Sequence, residues 1–278
     1  MIWGVYKTME VLQKIADNLL RLRERKPLVH HITNYVTVND CANITLAIGA
    51  SPVMADDIAE VEEMASFASA LVLNMGTLNA RTIESMLATG QKARQRGIPV
   101  VFDPVGVGAT SLRTSTAKQI IREVRPTVIR GNMSEIKIIA GLDVAIKGVD
   151  SVASEDAGES VASNLSHKLD CVVAITGKTD IIAQGNRIYR IDNGHALLSQ
   201  ITGSGCMATS LIGCFCGAAD DWFAATAAGI VTMGLAGELA HASLQPGDGI
   251  GTFHIRLFDA VSVINPDILK KGGKIDEL

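Results

Sequence analysis

The chain has 278 residues, 47% of them hydrophobic and 19% charged, with a formal net charge of −4. That balance excludes a disordered chain and supplies a large core, with apolar surface left over for a subunit contact. No basic run is interleaved with aromatic residues, so a nucleic-acid partner is not expected.

In chain order, the first predicted helix covers residues 9–25; the N-terminus before it carries no signal-peptide pattern. "LVHHI" (28–32) reads as a strand and 38–48 as a helix. A helix over 57–69, the strand "ALVLN" (70–74) and a helix over 79–96 follow. "PVVFD" (99–103), a helix over 113–124, "TVIRG" (127–131) and a helix over 133–140 continue the alternation. Residues 143–156 are mixed and polar but too ordinary to mark a domain boundary, and 155–168 reads as another helix. "CVVAIT" (171–176) is a further buried strand. These runs are apolar without polar alternation, as strands covered on both faces require. "DIIAQGNRIYRI" (180–191) differs: two short runs meet at Gly185-Asn186, a hairpin that adds an antiparallel piece to the sheet. From 205 onward the chain is mostly helical. The apolar segment 222–240 has the Ala and Gly content of a buried helix rather than of a membrane span. The βα rhythm predicts one α/β domain over residues 1–278, with a mainly parallel central sheet between helices. Five cysteines, an odd number with no C-x-x-C pair, argue against disulfides or zinc and fit the reducing cytoplasm.

In an open parallel sheet, ligands sit beyond the carboxyl ends of the strands. Asp103, in "DPVGVGAT", stands at one such end. It is equally readable as a magnesium-associated carboxylate or as a turn starter before Pro104. Asn132 and Glu135, three apart in "RGNMSEIK", have capping-box spacing, and the same helix start welcomes phosphate and its metal. Arg130 adds a cation able to reach a phosphate. In "TGKTD", Thr176 offers a hydroxyl and Gly177 lets backbone approach a ligand, whereas a lone Lys178 is more often simply solvated. In "TGSGCMATS", Gly203, Ser204 and Gly205 leave several amide N–H groups pointing into one concavity at a helix start, an anion hole for a migrating phosphoryl group. Neither a Walker A spacing nor a G-x-G-x-x-G turn occurs.

Together with "HHITNYVTVNDCANITLAIGASPVMADD" (30–57), the motifs "VFDPVGVGAT", "GNMSEI", "TGKTD" and "TGSGCMATS" resemble the hydroxyethylthiazole kinase family of the ribokinase-like superfamily. The resemblance runs from about residue 10 to the C-terminal helices. It implies a three-layer α/β/α fold without a separate lid domain and ATP-dependent, Mg²⁺-assisted phosphorylation of 4-methyl-5-(2-hydroxyethyl)thiazole, a thiamine salvage step. It also implies a homotrimer with active sites between subunits. By the same resemblance, Asp103 and Glu135 fall on the metal-associated acids, Arg130 and Thr176 on ATP-contacting positions, and Met54 and Gly203 on thiazole-contacting positions. Asn34 and Val36 would line the thiazole pocket.

Cys206 takes the place where most of the superfamily has a catalytic Asp. Phosphoryl transfer through a loose transition state leans on positioning and electrostatics, so a strong base is helpful without being obligatory. A helix N-terminus pulls a thiol pKa down from ~8.5, while an apolar pocket pushes it up. Cys206 is therefore expected to orient the acceptor hydroxyl and to accept its proton as thiolate. The rival readings are a sister kinase of hydroxymethylpyrimidine or pyridoxal, a cysteine-nucleophile transferase or amidase pairing Cys206 with a histidine such as His195, and a non-catalytic binder. A sister kinase would be expected to carry Asp in the Gly-rich loop, the six histidines carry no pattern pointing at Cys206, and mere binding would not need both a metal site and an anion hole.

Overall fold

The central strands are apolar at every position because consecutive residues enter different cores. On the third strand, Ala70 and Val72 join one hydrophobic cluster, and Leu71 and Leu73 the other. Val172 and Ala174 alternate with Val173 and Ile175 in the same way. The computed structural model describes residues 2–141 and 157–278. The polar stretch 143–156 and the first residues of the helix expected at 155–168 lie outside the described residues.

The elements run α1 (Ile2–Arg25), β1 (Leu28–Ile32), α2 (Val38–Ile48), β2 (Ser51–Val53), α3 (Val61–Phe67), β3 (Ala70–Asn74), α4 (Ala80–Gln95), β4 (Val100–Asp103), α5 (Ser111–Glu123), β5 (Val128–Asn132) and α6 (Met133–Gly141). After them come α7 (Ala157–Leu169), β6 (Val172–Thr176), β7 (Asp180–Gln184), β8 (Arg187–Ile191), a 3₁₀ turn (Ala196–Gln200), α8 (Ser204–Cys216), α9 (Trp222–Ala242), α10 (Ile250–Val263), α11 (Pro266–Gly272) and β9 (Ile275–Glu277). The strands form a nine-stranded sheet in the order β2-β1-β3-β4-β5-β6-β7-β8-β9. Every pair from β2 to β6 is parallel. The hairpin β7–β8 adds antiparallel to β6, and β9 adds antiparallel to β8.

Helices α1, α2, α8, α9, α10 and α11 contribute to the cluster on one face of the sheet, and α4 to α7 to the cluster on the other. The fold is thus the expected three-layer α/β/α. The predicted strands stand within a residue of their expected limits. The edge strands β2 and β9 were not expected; at three residues each they carry too little pattern to read. Helix α9 is long and apolar enough to cross a membrane by composition, yet 89% of its apolar window is buried inside the fold. Ala and Gly are what allow this: a Cβ at Gly229 would fall 2.8 Å from the Ile212 backbone in α8.

Strand β1 buries His30 and His31 at 0% and 1% exposure. Each has one ring nitrogen bonded to a carbonyl, Ala55 at 2.7 Å and Val29 at 3.1 Å. Burial holds His31 down to about 4 and lowers His30 as well. A histidine depressed in the native state must gain a proton as the chain unfolds in acid. Its stabilising share is therefore complete above the unfolded value of ~6.5 and is lost as pH falls toward the native one, by at most ~1.4 kcal/mol per pH unit. Urea midpoints should drop between pH 7 and pH 5, and His31→Asn should flatten that drop. An equal drop in the variant contradicts this assignment.

Candidate active site

Strand parity aims four side chains at one place. Asn74 and Asp103 close β3 and β4 as register partners. Each stands two residues beyond a member of the α8-side core, Val72 and Val101. Arg130 follows Val128, and Thr176 follows Ala174, by the same step of two. Side chains alternate along a strand, so all four project toward the helix layer that contains α8.

Helix α8 begins there. Its N-cap is Gly203, left-handed at φ 85°, and no side chain caps its first turn. The first backbone bond of the helix runs from Met207 N to Gly203 O at 2.8 Å. The amides of Ser204, Gly205 and Cys206 precede it and have no intrahelical acceptor. By contrast, α4, α5, α9 and α11 are capped by the side chains of Asn79, Thr110, Asp221 and Asn265. Position 203 requires glycine twice over: the backbone is left-handed, and a Cβ would fall 2.6 Å from Thr37 Cγ2. At Gly205 a Cβ would fall 2.6 Å from Arg130 Nη1, so the guanidinium sits directly against the helix start. Ser204 opens the helix, and its hydroxyl makes no hydrogen bond among the described residues.

Arg130 is tied on two sides. Nη1 lies 3.5 Å from Asp103 Oδ2, and Nη2 donates to the Thr176 hydroxyl. Its Nε is buried without a partner. Asp103 is fully buried. Its Oδ2 accepts from Thr209 Oγ1 at 2.8 Å and Asn74 Nδ2 at 3.0 Å, while Oδ1 has no partner. Burial pushes the Asp103 carboxyl up, and the Arg130 charge opposes that shift. Glu135 makes the expected capping box, donating its N–H to Asn132 Oδ1 and accepting from Asn132 N, both at 2.9 Å. Its second oxygen accepts from Gly106 N at 2.9 Å, which ties the β4–α5 loop to the start of α6. Glu135 lies near enough to act electrostatically on Asp103.

The sulfur of Cys206 accepts from Asn74 Nδ2 at 3.2 Å and Asn34 Nδ2 at 3.4 Å. Burial raises its pKa, and the Asp103 charge raises it further. Both influences favour the neutral thiol. No imidazole is among its hydrogen-bond partners. His195 instead stacks on His241, with centroids 3.7 Å apart, and its Nδ1 accepts from Leu197 N at 3.2 Å.

Asn34, Asp103, Arg130, Thr176, Gly205 and Cys206 are thus joined by direct contacts, Gly203 abuts Thr37, which bonds Asn34, and Glu135 acts on Asp103 from the start of α6. Val36, two residues after Asn34, is 57% exposed beside Tyr35 at 78%. Met54 follows edge strand β2, half-buried, and no hydrogen bond ties it to this cluster. Asn74 belongs to none of the sequence motifs. The available signal was its position as the last residue of "ALVLN", equivalent to Asp103 in "PVVFD".

The model of the hydroxyethylthiazole kinase family matches residues 19–267. The chain belongs to that family. The hydroxyethylthiazole kinase of Clostridium beijerinckii is 54% identical over 276 residues, 97% of this chain and 99% of its own length. The solved hydroxyethylthiazole kinase of Pyrococcus horikoshii OT3 aligns with a TM-score of 0.87 at 37% identity, over 95% of this chain and 98% of that one. A pyridoxal kinase from Staphylococcus aureus gives a TM-score of 0.63 at 14% identity, covering 91% of this chain and 99% of that one, a likeness of the ribokinase-like fold alone.

Two glycine substitutions separate strain from site geometry. Gly203→Ala forces an alanine into a left-handed backbone against Thr37 and should cost about 1–3 kcal/mol in chemical denaturation. Gly205→Ala carries no such backbone strain; by displacing Arg130 from the buried Asp103 it should lower stability through that ion pair, so that Arg130→Gln adds little further loss in the Gly205→Ala background, and it should weaken nucleotide binding by calorimetry. Fully additive stability losses from Gly205→Ala and Arg130→Gln would contradict the assignment.

Proposed function

We propose that this hydroxyethylthiazole kinase family member transfers the terminal phosphoryl group of ATP to the hydroxyl of 4-methyl-5-(2-hydroxyethyl)thiazole, a thiamine salvage step, at the start of α8. One observation carries the reading: an uncapped, glycine-lined helix N-terminus abuts Arg130 and lies one asparagine away from the buried Asp103. Free amides and an arginine favour an anion, and a nearby carboxylate with a vacant lone pair favours its counter-cation.

The amides of residues 204–206 take the charge that spreads over the transferred phosphoryl oxygens. Arg130 holds ATP phosphate, steadied by Thr176. Cys206, neutral at rest, orients the acceptor hydroxyl; the loose transition state delays any need to remove the proton. Met54, Val36 and Gly203 line the thiazole pocket. Asn34 belongs to its wall, but its amide is committed to Asn74 and Cys206, and its oxygen to the Thr37 N–H and hydroxyl.

Asp103 and Glu135 would hold Mg²⁺, and the unpartnered Asp103 Oδ1 fits that assignment. Among the described residues no group of three or more His, Cys, Asp or Glu forms a metal cage. That suits an ion that keeps water and phosphate oxygens as its other ligands. Bound there, Mg²⁺ would supply positive charge against the phosphates.

The chain is read as one kinase domain. The exposed apolar side chains of Tyr35 and Val36, next in sequence to Asn34, support a homotrimer in which a neighbouring subunit completes the site. Five unpaired cysteines are consistent with the cytoplasm.

Coupled ADP assays test the reading. ADP should form with the thiazole alcohol, and much more slowly with hydroxymethylpyrimidine or pyridoxal; the reverse preference overturns it. Asp103→Asn should lower kcat by about 100-fold and weaken the Mg²⁺ response, since one preorganised charge is worth on that order. Cys206→Asp should keep or raise activity. Loss with Asp but retention with Ser would reduce the thiol's part to shape.

A further inference from the structure

We propose that Asn74 is a positioning residue: one side-chain amide holds the Cys206 sulfur and the Asp103 carboxylate in a fixed relation for phosphoryl transfer. This rests on the kinase reading above.

Asn74 is 2% exposed, so it acts through its neighbours and not on substrate. Its Nδ2 spends one hydrogen on Asp103 Oδ2 at 3.0 Å and the other on Cys206 Sγ at 3.2 Å. Its Oδ1 accepts from Asn34 Nδ2 and from Gly76 N, both at 2.9 Å. All four bonding positions of the amide are filled. The orientation is fixed by chemistry. Gly76 N can only donate, so Oδ1 must face it, and Nδ2 must then face the carboxylate and the sulfur. A flipped amide would set oxygen against oxygen and a donor against a donor.

The anchor is rigid as well. Arg113 donates to the carbonyls of Met75, Val105 and Gly76, each at 2.6 Å, and so clamps the loop that presents Gly76. A Cβ at Gly76 would fall 2.8 Å from Asn34 Cβ, so this residue is pressed against the amide pair.

Two consequences follow for the reacting groups. Asp103 Oδ2 is satisfied by Asn74 and Thr209, which leaves the unpartnered Oδ1 as the oxygen available to a cation. Cys206 Sγ accepts from two amides, which directs its single proton away from both asparagines. Aspartate at 74 would lack the donors, serine would reach one partner at most, and leucine would reach none.

The test is steady-state kinetics of Asn74→Ala and Asn74→Ser, in the wild-type and Cys206→Ala backgrounds, with crystal structures of wild type and each variant. Outer-layer partners of such sites are typically worth 10- to 100-fold. Asn74→Ala should therefore lower kcat by about 10- to 100-fold, with both KM values within about twofold, and Asn74→Ser by less. In the Cys206→Ala background the added loss should be smaller, because part of the effect passes through the sulfur. Equal losses in both backgrounds, or a changed KM with kcat intact, overturn the proposal. If wild type does not phosphorylate the thiazole alcohol, the kinase reading fails by itself. The crystal structures then decide the positioning claim: new Cys206 or Asp103 rotamers in the alanine variant support it, and unmoved side chains overturn it.

Discussion

The start of α8 is a helix end whose first amides have neither a side-chain cap nor an intrahelical acceptor. Among the described residues, most helices capped by Asn, Asp or Thr use that side chain to satisfy the first amides, and a lost cap typically costs ~1 kcal/mol. Here the cap is a left-handed glycine with no side chain to offer. The uncapped amides and the helix dipole leave positive potential beside the Arg130 guanidinium, which is the surrounding the proposed phosphoryl site needs.

The remaining architecture serves to bring negative groups and hydrogen-bond donors to that point without filling it. Parallel strands place their carboxyl ends side by side, and the two-residue alternation selects which side chains face α8. Asn74, Asp103, Arg130 and Thr176 share that parity across four strands. Glu135 enters from a different direction, through the start of α6, and anchors the loop after Asp103 by accepting from Gly106 N. Burial then acts on the gathered groups: it pushes both the Asp103 carboxyl and the Cys206 thiol up, while Arg130 restrains the first. The two asparagine amides that the Cys206 sulfur accepts from fix its direction.

Much of this was legible in the sequence. Continuous apolar runs announced the central strands because both faces of the sheet are covered, and Gly185-Asn186 announced the antiparallel hairpin. The glycines of "TGSGC" announced a glycine-opened helix start, and the structure has Gly203 as a left-handed cap with no side-chain bond to the first amides. The short edge strands were not legible. Nor was Asn74, which in sequence is a polar residue closing a strand. Its meaning lies in partners 29, 40 and 132 residues away, and such distances leave no local signature. The surroundings of Cys206 were likewise hidden, since its burial and its nearness to Asp103, which both raise its pKa, come from packing across distant strands.

The central claim is that the amides of residues 204–206 grip the phosphoryl group in transit, opposite Asp103. A crystal structure with the thiazole alcohol, Mg²⁺ and a non-hydrolysable ATP analogue tests it most directly. The account predicts the terminal phosphate within hydrogen-bond distance of those amides, with Arg130 and Asp103 on its other side. A triphosphate seated elsewhere, with the α8 start facing only solvent, would contradict it.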